Sequence, residues 1–197
     1  TAEEFSGNPV KRLALKREAE KVARLETRLV AKADIVTANT DEDAALFRAG
    51  NPGCVPIVLT PGYEGPVVGA RTIDASTPRR VTIVGSFGWI AKQMNLEAFL
   101  TAAAQKFAAA GAEIEILGTM PDDYMAKIRH AWPTVLVRGR FDEVAPYLAD
   151  IRLGIVPEQT GGGFKHKVLS YAFCRVPVAA LEGSVAGMPL TPGESIL

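Results

Sequence analysis

Three consecutive glycines followed by two lysines are the residues of this sequence best suited to chemistry. Gly161, Gly162 and Gly163 follow an apolar, strand-like stretch, and Lys165 and Lys167 open a helix-like one. Glycines let the backbone approach a ligand closely, and a helix start presents free N–H groups and a positive dipole end. The pattern therefore suits an anion such as a diphosphate. An ordinary strand–loop–helix turn with solvated lysines fits it equally well.

A second glycine-bearing loop, Gly-Ser-Phe-Gly-Trp at positions 85–89, follows the strand-like stretch 81–84. Ligands of open parallel sheets bind beyond the carboxyl ends of the strands, so the two loops together predict a nucleotide site at one sheet edge. Trp89 is a candidate to stack on the nucleobase. The loop is not a GxGxxG motif, and the chain has no GxxxxGK[ST] motif, which argues against dinucleotide and P-loop sites.

The composition excludes several classes of protein. The 197 residues are 48% hydrophobic and 22% charged, which is typical of a globular protein and not of a disordered one. Lysine plus arginine equals aspartate plus glutamate, with 22 of each, so no overall field attracts nucleic acid. No apolar run reaches the roughly 20 residues of a membrane span, and the first residues do not resemble a signal peptide.

The cysteines and histidines give no metal motif. Cys54 and Cys174 lie far apart and belong to no CxxC pair, so we expect two reduced thiols in a cytoplasmic protein. His130 and His166 are too few for a histidine-based zinc site.

The first part of the chain contains a long charged helix, predicted over residues 10–32, with an apolar stripe at near-helical spacing. Its eight basic and three acidic residues leave two interpretations open. The helix is either a solvated member of a bundle, with i,i+4 pairs such as Glu20 with Arg24, or a face for anionic lipid. We also expect Thr40 to be the N-cap of a following helix.

Strand-like and helix-like stretches alternate after residue 80. In chain order the predicted elements cover residues 81–84, 95–109, 114–117, 122–130, 135–137, 142–148, 153–156, 163–173 and 176–180. This alternation predicts an α/β fold, a Rossmann-like parallel sheet flanked by helices. Glycines and prolines interrupt residues 61–79, which we interpret as a linker at the main domain boundary.

The loop at 85–89, the glycine cluster with its two lysines and the alternating strands and helices occur in an order that resembles the two-domain GT-B glycosyltransferases. The resemblance is specifically to the bacterial branch near the retaining glycosyltransferase family four. The resemblance spans roughly residues 33–197 and is strongest from residue 156 to residue 178. It implies that residues 80–197 form the Rossmann-like donor-binding domain, without the closing C-terminal helices. It also implies that residues 1–60 are the incomplete end of the N-terminal acceptor domain.

The resemblance implies roles for individual residues. Lys165 and Lys92 would stabilise the diphosphate during catalysis, and no metal ion or cofactor is expected. Donor binding would involve the loop residues and the helix that follows the glycine cluster, namely Gly85, Ser86, Trp89, Glu158, Gly161, Gly162, Gly163, Lys167 and Ser170. Many family members carry glutamates where this chain has Gly162 and Ser170, and an arginine where it has Ser86.

The activity that this resemblance implies is transfer of a sugar from a nucleotide-diphosphate donor, with retention of anomeric configuration, to a glycan or lipid-linked acceptor. A role in surface polysaccharide or exopolysaccharide biosynthesis follows, in the cytoplasm or peripherally at the inner membrane. The expected partners are the nucleotide sugar and the acceptor, with no nucleic acid. Two alternatives stay open: a sugar-nucleotide 2-epimerase of the same fold, and a non-catalytic domain that binds a nucleotide or a glycan.

Overall fold

A computed structural model describes residues 8–159, 163–185, 187–188, 190–191 and 193. The chain divides into two compact units, Thr1–Pro61 and Gly62–Leu197.

The first unit is a small parallel β pair with two helices. Its elements are, in chain order, α1 (Pro9–Lys32), β1 (Thr37–Ala38), α2 (Asp41–Gly50) and β2 (Ile57–Val58). Strands β1 and β2 are parallel. The hydroxyl of Thr40 accepts a hydrogen bond from the N–H of Asp43 at 3.0 Å, so Thr40 is the N-cap of α2 as its residue type predicts.

Helix α1 exposes its apolar stripe. Its apolar members Leu15, Val22, Leu25 and Leu29 are all exposed, and the helix buries no residue. The expected i,i+4 pair forms, with 3.5 Å between Arg24 Nη2 and Glu20 Oε2, and such an exposed pair contributes less than about 1 kcal/mol. Within the described ranges, no helix has both the length and the apolar character to cross a bilayer.

The second unit is a five-stranded parallel sheet flanked by helices, which confirms the predicted fold class. Its elements are β3 (Arg80–Val84), α3 (Ile90–Ala109), β4 (Glu113–Leu117), α4 (Asp122–Ala131), β5 (Val135–Gly139), α5 (Ala145–Ala149), β6 (Leu153–Val156), α6 (His166–Phe173) and β7 (Val178–Ala180). The strand order is β5-β4-β3-β6-β7, and every pair is parallel.

Both faces of this sheet are covered, because successive side chains of a strand point to opposite faces. Ile155 packs into a cluster with residues of α3 and α4, and the next residue, Val156, packs into a second cluster with residues of α5 and α6. The two clusters explain why the strands are apolar almost throughout.

Several helices begin where the sequence pattern does not predict. Helix α3 begins at Ile90, five residues before the predicted start, and α5 is shorter than the stretch 142–148. Helix α6 begins at His166 and not at Gly163. The φ angle of Gly163 is +80°, which a right-handed helix does not contain, so the loop extends beyond the glycine cluster.

The segment predicted as a linker lies almost entirely within the second unit and packs against its helices. The ring of Tyr63 stacks on that of Phe173 with 4.4 Å between centroids, and the N–H of Val68 donates to the carbonyl of Phe173 at 2.8 Å. The Arg71 guanidinium donates to the carbonyls of Leu148 and Ile151, and to that of Ala149 at 3.0 Å. The bonds to Leu148 and Ala149 satisfy carbonyl groups that the short helix α5 leaves without partners at its end, and the bond to Ile151 holds the residue just beyond it.

Candidate functional site

The second unit has a cleft at the switch point of its sheet. After β3 the chain builds β4 and β5 on one side, and then returns to add β6 and β7 on the other. The loops after β3 and β6 therefore diverge and leave a crevice, the usual ligand position in such sheets. The cleft has a volume of about 390 Å³, and its lining residues are Val84, Gly85, Trp89, Lys92, Glu158, Phe164, Lys165, His166, Lys167 and Ser170.

The first wall is the loop after β3, held by backbone hydrogen bonds. The N–H of Gly85 donates to the carbonyl of Leu117 at 2.9 Å, and the N–H of Phe87 donates to that of Thr119 at 2.7 Å. The side-chain amide of Gln93 donates to the carbonyl of Phe87 at 2.8 Å. Phe87 is buried beneath the loop, and Trp89 stands 59% exposed at the mouth of the cleft, where a planar ligand can reach it.

Ser86 lies beside the cleft and not in its lining. Its hydroxyl accepts a hydrogen bond from the Thr119 hydroxyl at 3.2 Å, which joins it to the loop after β4. Ser86 directly follows Gly85 but is not among the residues that line the cleft, and its role in donor binding stays a prediction.

The second wall is the start of helix α6. Lys165 is its N-cap residue, and the Lys165 ammonium donates to the carbonyl of Gly163 at 3.1 Å. The first N–H groups of a helix have no partner within the helix, so this end of α6 offers donors and a positive dipole end. Gly161 and Gly162, the other predicted members of the loop, lie outside the described residues.

A buried ion pair joins the two ends of this loop. The carboxylate of Glu158, just after β6, accepts through Oε1 from the ammonium of Lys167, the second residue of α6. The Lys167 and Glu158 side chains are only 10% and 8% exposed. Beside them, the amide oxygen of buried Asn95 accepts from the N–H of Gln159 at 3.0 Å, which attaches the loop to α3.

The charges in the cleft act on one another. Burial lowers the pKa of Lys167, the Glu158 carboxylate opposes this shift, and the ammonium groups of Lys92 and Lys165 lower the pKa further. Lys92 and Lys165 are therefore close enough to Lys167 to interact with it electrostatically. Glu158 is paired with Lys167, so Lys92 and Lys165 are the lysines of the cleft whose charges take no part in this ion pair.

Ser170 also lines the cleft, one turn after Lys167 on α6. The neighbouring residue Tyr171 is fully buried and fixes this helix on the sheet. Its hydroxyl donates to the carbonyl of Thr82 at 3.0 Å and accepts from the N–H of Val84 at 2.9 Å. Helix α6 and strand β3, which supply opposite walls, are thereby directly bonded.

The sequence pattern does not indicate a place for Asn95 or Phe164 at the site, nor the pairing of Glu158 with Lys167. The ring of Phe164 lies edge-on to that of His166, with 5.4 Å between centroids. His166 is exposed and also lines the cleft. Its position directly after Lys165 is the sequence feature that indicates a place in the site. For Asn95, an amide within an apolar helix face was the only indication.

The sequence of this unit identifies its family. The profile of the family described as glycosyl transferases group 1 matches residues 78–194, and the chain belongs to this family. Its fold is that of GT-B glycosyltransferases, as predicted. Among curated protein sequences, no relative matches the chain.

Solved structures support the fold at low sequence identity. TarM from S. aureus superposes with a TM-score of 0.66 at 15% identity, over 90% of this chain and 34% of TarM. HepE from Anabaena, in complex with UDP and glucose, has a TM-score of 0.63 at 15% identity, over 84% and 48% of the two chains. The pneumococcal O-GlcNAc transferase GtfA, in complex with UDP and GlcNAc, has a TM-score of 0.60 at 13% identity, over 80% and 32%. This chain thus spans about a third to about a half of the length of these structures.

Proposed function

We propose that this chain is the donor-binding part of a glycosyltransferase and that its cleft binds a nucleotide-diphosphate sugar. The observation that carries the proposal is the convergence of Lys92, Lys165 and the start of α6 on a cleft at the sheet switch point. Two ammonium groups and free helical N–H groups fit the diphosphate of such a donor. Trp89 at the mouth offers an aromatic face for the nucleobase.

The proposed chemistry is electrostatic and positional. When the bond between the sugar and the diphosphate breaks, negative charge accumulates on the departing diphosphate. Lys92 and Lys165 stabilise that charge, and the cleft holds the donor in a fixed orientation for the acceptor. Because these cations provide the stabilisation, we propose a metal-independent reaction, with retention of configuration as in the family that the sequence resembles.

The proposed acceptor is a glycan or a lipid-linked acceptor, in surface or exopolysaccharide biosynthesis at the cytoplasmic face of the membrane. HepE and GtfA were solved with UDP and a sugar, which supports a nucleotide-sugar donor for this chain. The exposed basic helix α1 is the candidate for a peripheral membrane contact.

The first prediction tests the lysines. Calorimetric titration of the chain with UDP, GDP and ADP is expected to give saturable binding of at least one. Lys165→Ala and Lys92→Ala should each weaken it about tenfold or more, because each removes a charge-assisted bond to phosphate. Addition of EDTA should leave the affinity unchanged.

Lys106→Ala is the matched control, since Lys106 lies on α3 like Lys92 but is exposed in the last turn of that helix. It should not change the affinity. A folded chain that binds none of the three nucleotides, or an equal loss with Lys106→Ala, would contradict the proposal. Incubation with a sugar conjugate of the nucleotide that binds, without an acceptor, then separates transfer from epimerisation, because an epimerase converts the donor without an acceptor.

A further inference from the structure

Glu158 is a buried carboxylate that uses only one of its oxygens. Its Oε1 accepts from Lys167, whereas Oε2 has no hydrogen-bond partner among the described residues. The residue is 8% exposed and lines the cleft. A buried acceptor without a donor costs free energy, so such an oxygen in a ligand cleft indicates that a ligand supplies the missing proton donor.

The position of this carboxylate is fixed from two sides. Lys167 on α6 holds it through the ion pair, and the following residue, Gln159, donates its N–H to Asn95 on α3. Glu158 is therefore oriented before any ligand arrives. A preoriented acceptor loses little conformational entropy on binding and can contribute to selectivity.

The chemistry of the group defines what it binds. An ionised carboxylate only accepts hydrogen bonds and repels phosphate oxygens, so it is unsuited to the diphosphate. A sugar hydroxyl is a neutral donor and suits it. We propose that Glu158 binds a hydroxyl group of the nucleotide sugar, that Lys167 positions Glu158 instead of binding phosphate, and that Lys92 and Lys165 bind the diphosphate.

This inference rests on the proposed function, because it assumes a ligand that carries both phosphates and hydroxyl groups. The hydroxyl belongs either to the ribose of the nucleotide or to the transferred sugar. A hydroxyl group of either sugar can donate a hydrogen bond to Oε2. Comparing the binding of ligands with and without the transferred sugar distinguishes the two sources.

The test compares Glu158→Gln with the unchanged chain in calorimetric titrations. The ligands are inorganic pyrophosphate, the diphosphates UDP, GDP and ADP, and the glucose conjugates of these nucleotides. We expect Glu158→Gln to weaken binding of the hydroxyl-bearing ligand about tenfold or more, since a hydrogen bond to a charged acceptor is lost. Pyrophosphate should bind as before or more tightly, because the variant removes a negative charge from the cleft.

The source of the hydroxyl follows from the pattern of losses. If Glu158→Gln weakens a nucleoside diphosphate and its glucose conjugate equally, the ribose is the partner, and the 2′-deoxy or 3′-deoxy nucleotide should then bind the unchanged chain and the variant equally well. If only the glucose conjugate is weakened, the transferred sugar is the partner. Either pattern supports the inference.

A double variant controls for folding. Glu158→Gln leaves Lys167 buried without its counter-ion, whereas Glu158→Gln with Lys167→Met removes both charges and should retain the circular dichroism of the unchanged chain. The double variant should bind pyrophosphate as the unchanged chain does. It should bind the hydroxyl-bearing ligand more weakly than the unchanged chain does. Loss of pyrophosphate binding in the folded double variant would show Lys167 to be a phosphate ligand and would overturn the inference.

Two further outcomes are distinguishable. If the unchanged chain binds nucleotides and Glu158→Gln binds them equally well, the inference is wrong and the proposed function stands. If the folded, unchanged chain binds neither pyrophosphate nor any nucleotide, the proposed function fails and the inference fails with it.

Discussion

The hydroxyl of Tyr171 is a single group on which the geometry of the cleft depends. It bonds to the backbone of β3 on both sides of Ile83, and burial raises its pKa above the ordinary value. The hydroxyl therefore stays protonated and can donate and accept at once. Gly154 makes room for the ring, since a Cβ at that position would lie 2.6 Å from it.

Tyr171→Phe is expected to lower the free energy of unfolding by about 1–3 kcal/mol, because the N–H of Val84 and the carbonyl of Thr82 lose a buried partner. Chemical denaturation measures this change. Tyr63→Phe is the matched control, since the Tyr63 hydroxyl donates to the carbonyl of Pro66 near the surface and its loss should cost less than about 1 kcal/mol. Equal losses for the two variants would contradict the structural role of Tyr171.

Several residues that line the candidate cleft are predictable from the sequence, but their pairing is not. Lys92 and Lys165 follow glycine-bearing loops and Trp89 ends one of them, and the rule for parallel sheets indicates their common edge. The bond from Glu158 to Lys167 closes a loop whose path depends on where α6 begins. The spacing of residues in the sequence does not predict the path of this loop.

At the scale of the elements, the strands were predicted more accurately than the helix starts. Strand β6 has the predicted bounds, because a strand covered on both faces is a continuous apolar run. The start of α3 depends instead on individual bonds, such as that from Gln93 to the carbonyl of Phe87, and hydrophobic periodicity does not report them.

The turn after β4 has a glycine at which any side chain would collide with the backbone of a neighbouring loop. Gly118 has a φ angle of +135°, and a Cβ there would lie 1.6 Å from the carbonyl oxygen of Gly85. Gly118→Ala should therefore displace the loop that forms one wall of the cleft. We expect a loss of about 3 kcal/mol or more in unfolding free energy, together with weaker nucleotide binding.

Gly111→Ala is the control that separates the cost of backbone strain from the cost of a steric collision. Gly111 also has a positive φ, +64°, but a Cβ there would meet nothing within 4 Å. Its cost should be about 1 kcal/mol, from backbone strain alone, with nucleotide binding unchanged. If both variants lose the same stability in urea titrations, the contact of Gly118 with the Gly85 loop does not have the proposed importance.

At the scale of the whole molecule, every described cleft residue belongs to the unit Gly62–Leu197. We propose that the donor-binding domain includes the extended segment before β3, because Tyr63 and Arg71 bond to the body of this unit. A protein of residues 62–197 should bind nucleotide within about threefold of the full chain, since it keeps Lys92 and Lys165, the proposed phosphate ligands.

A shorter protein of residues 80–197 is the comparison. It lacks the Arg71 guanidinium and the Tyr63 ring, and should melt at a lower temperature than residues 62–197 in calorimetry. Equal melting temperatures would show that the extended segment is not part of the domain.

The bonds of Arg71 also have a consequence for synthesis on the ribosome. Arg71 is translated 77 residues before Leu148, the first of its carbonyl acceptors. At about 5–20 residues per second, roughly 4–15 seconds pass between the synthesis of Arg71 and that of the carbonyl groups to which it binds. During this interval the backbone around Arg71 is available to chaperones and proteases, so the rate of translation influences how much of the nascent chain reaches the native state.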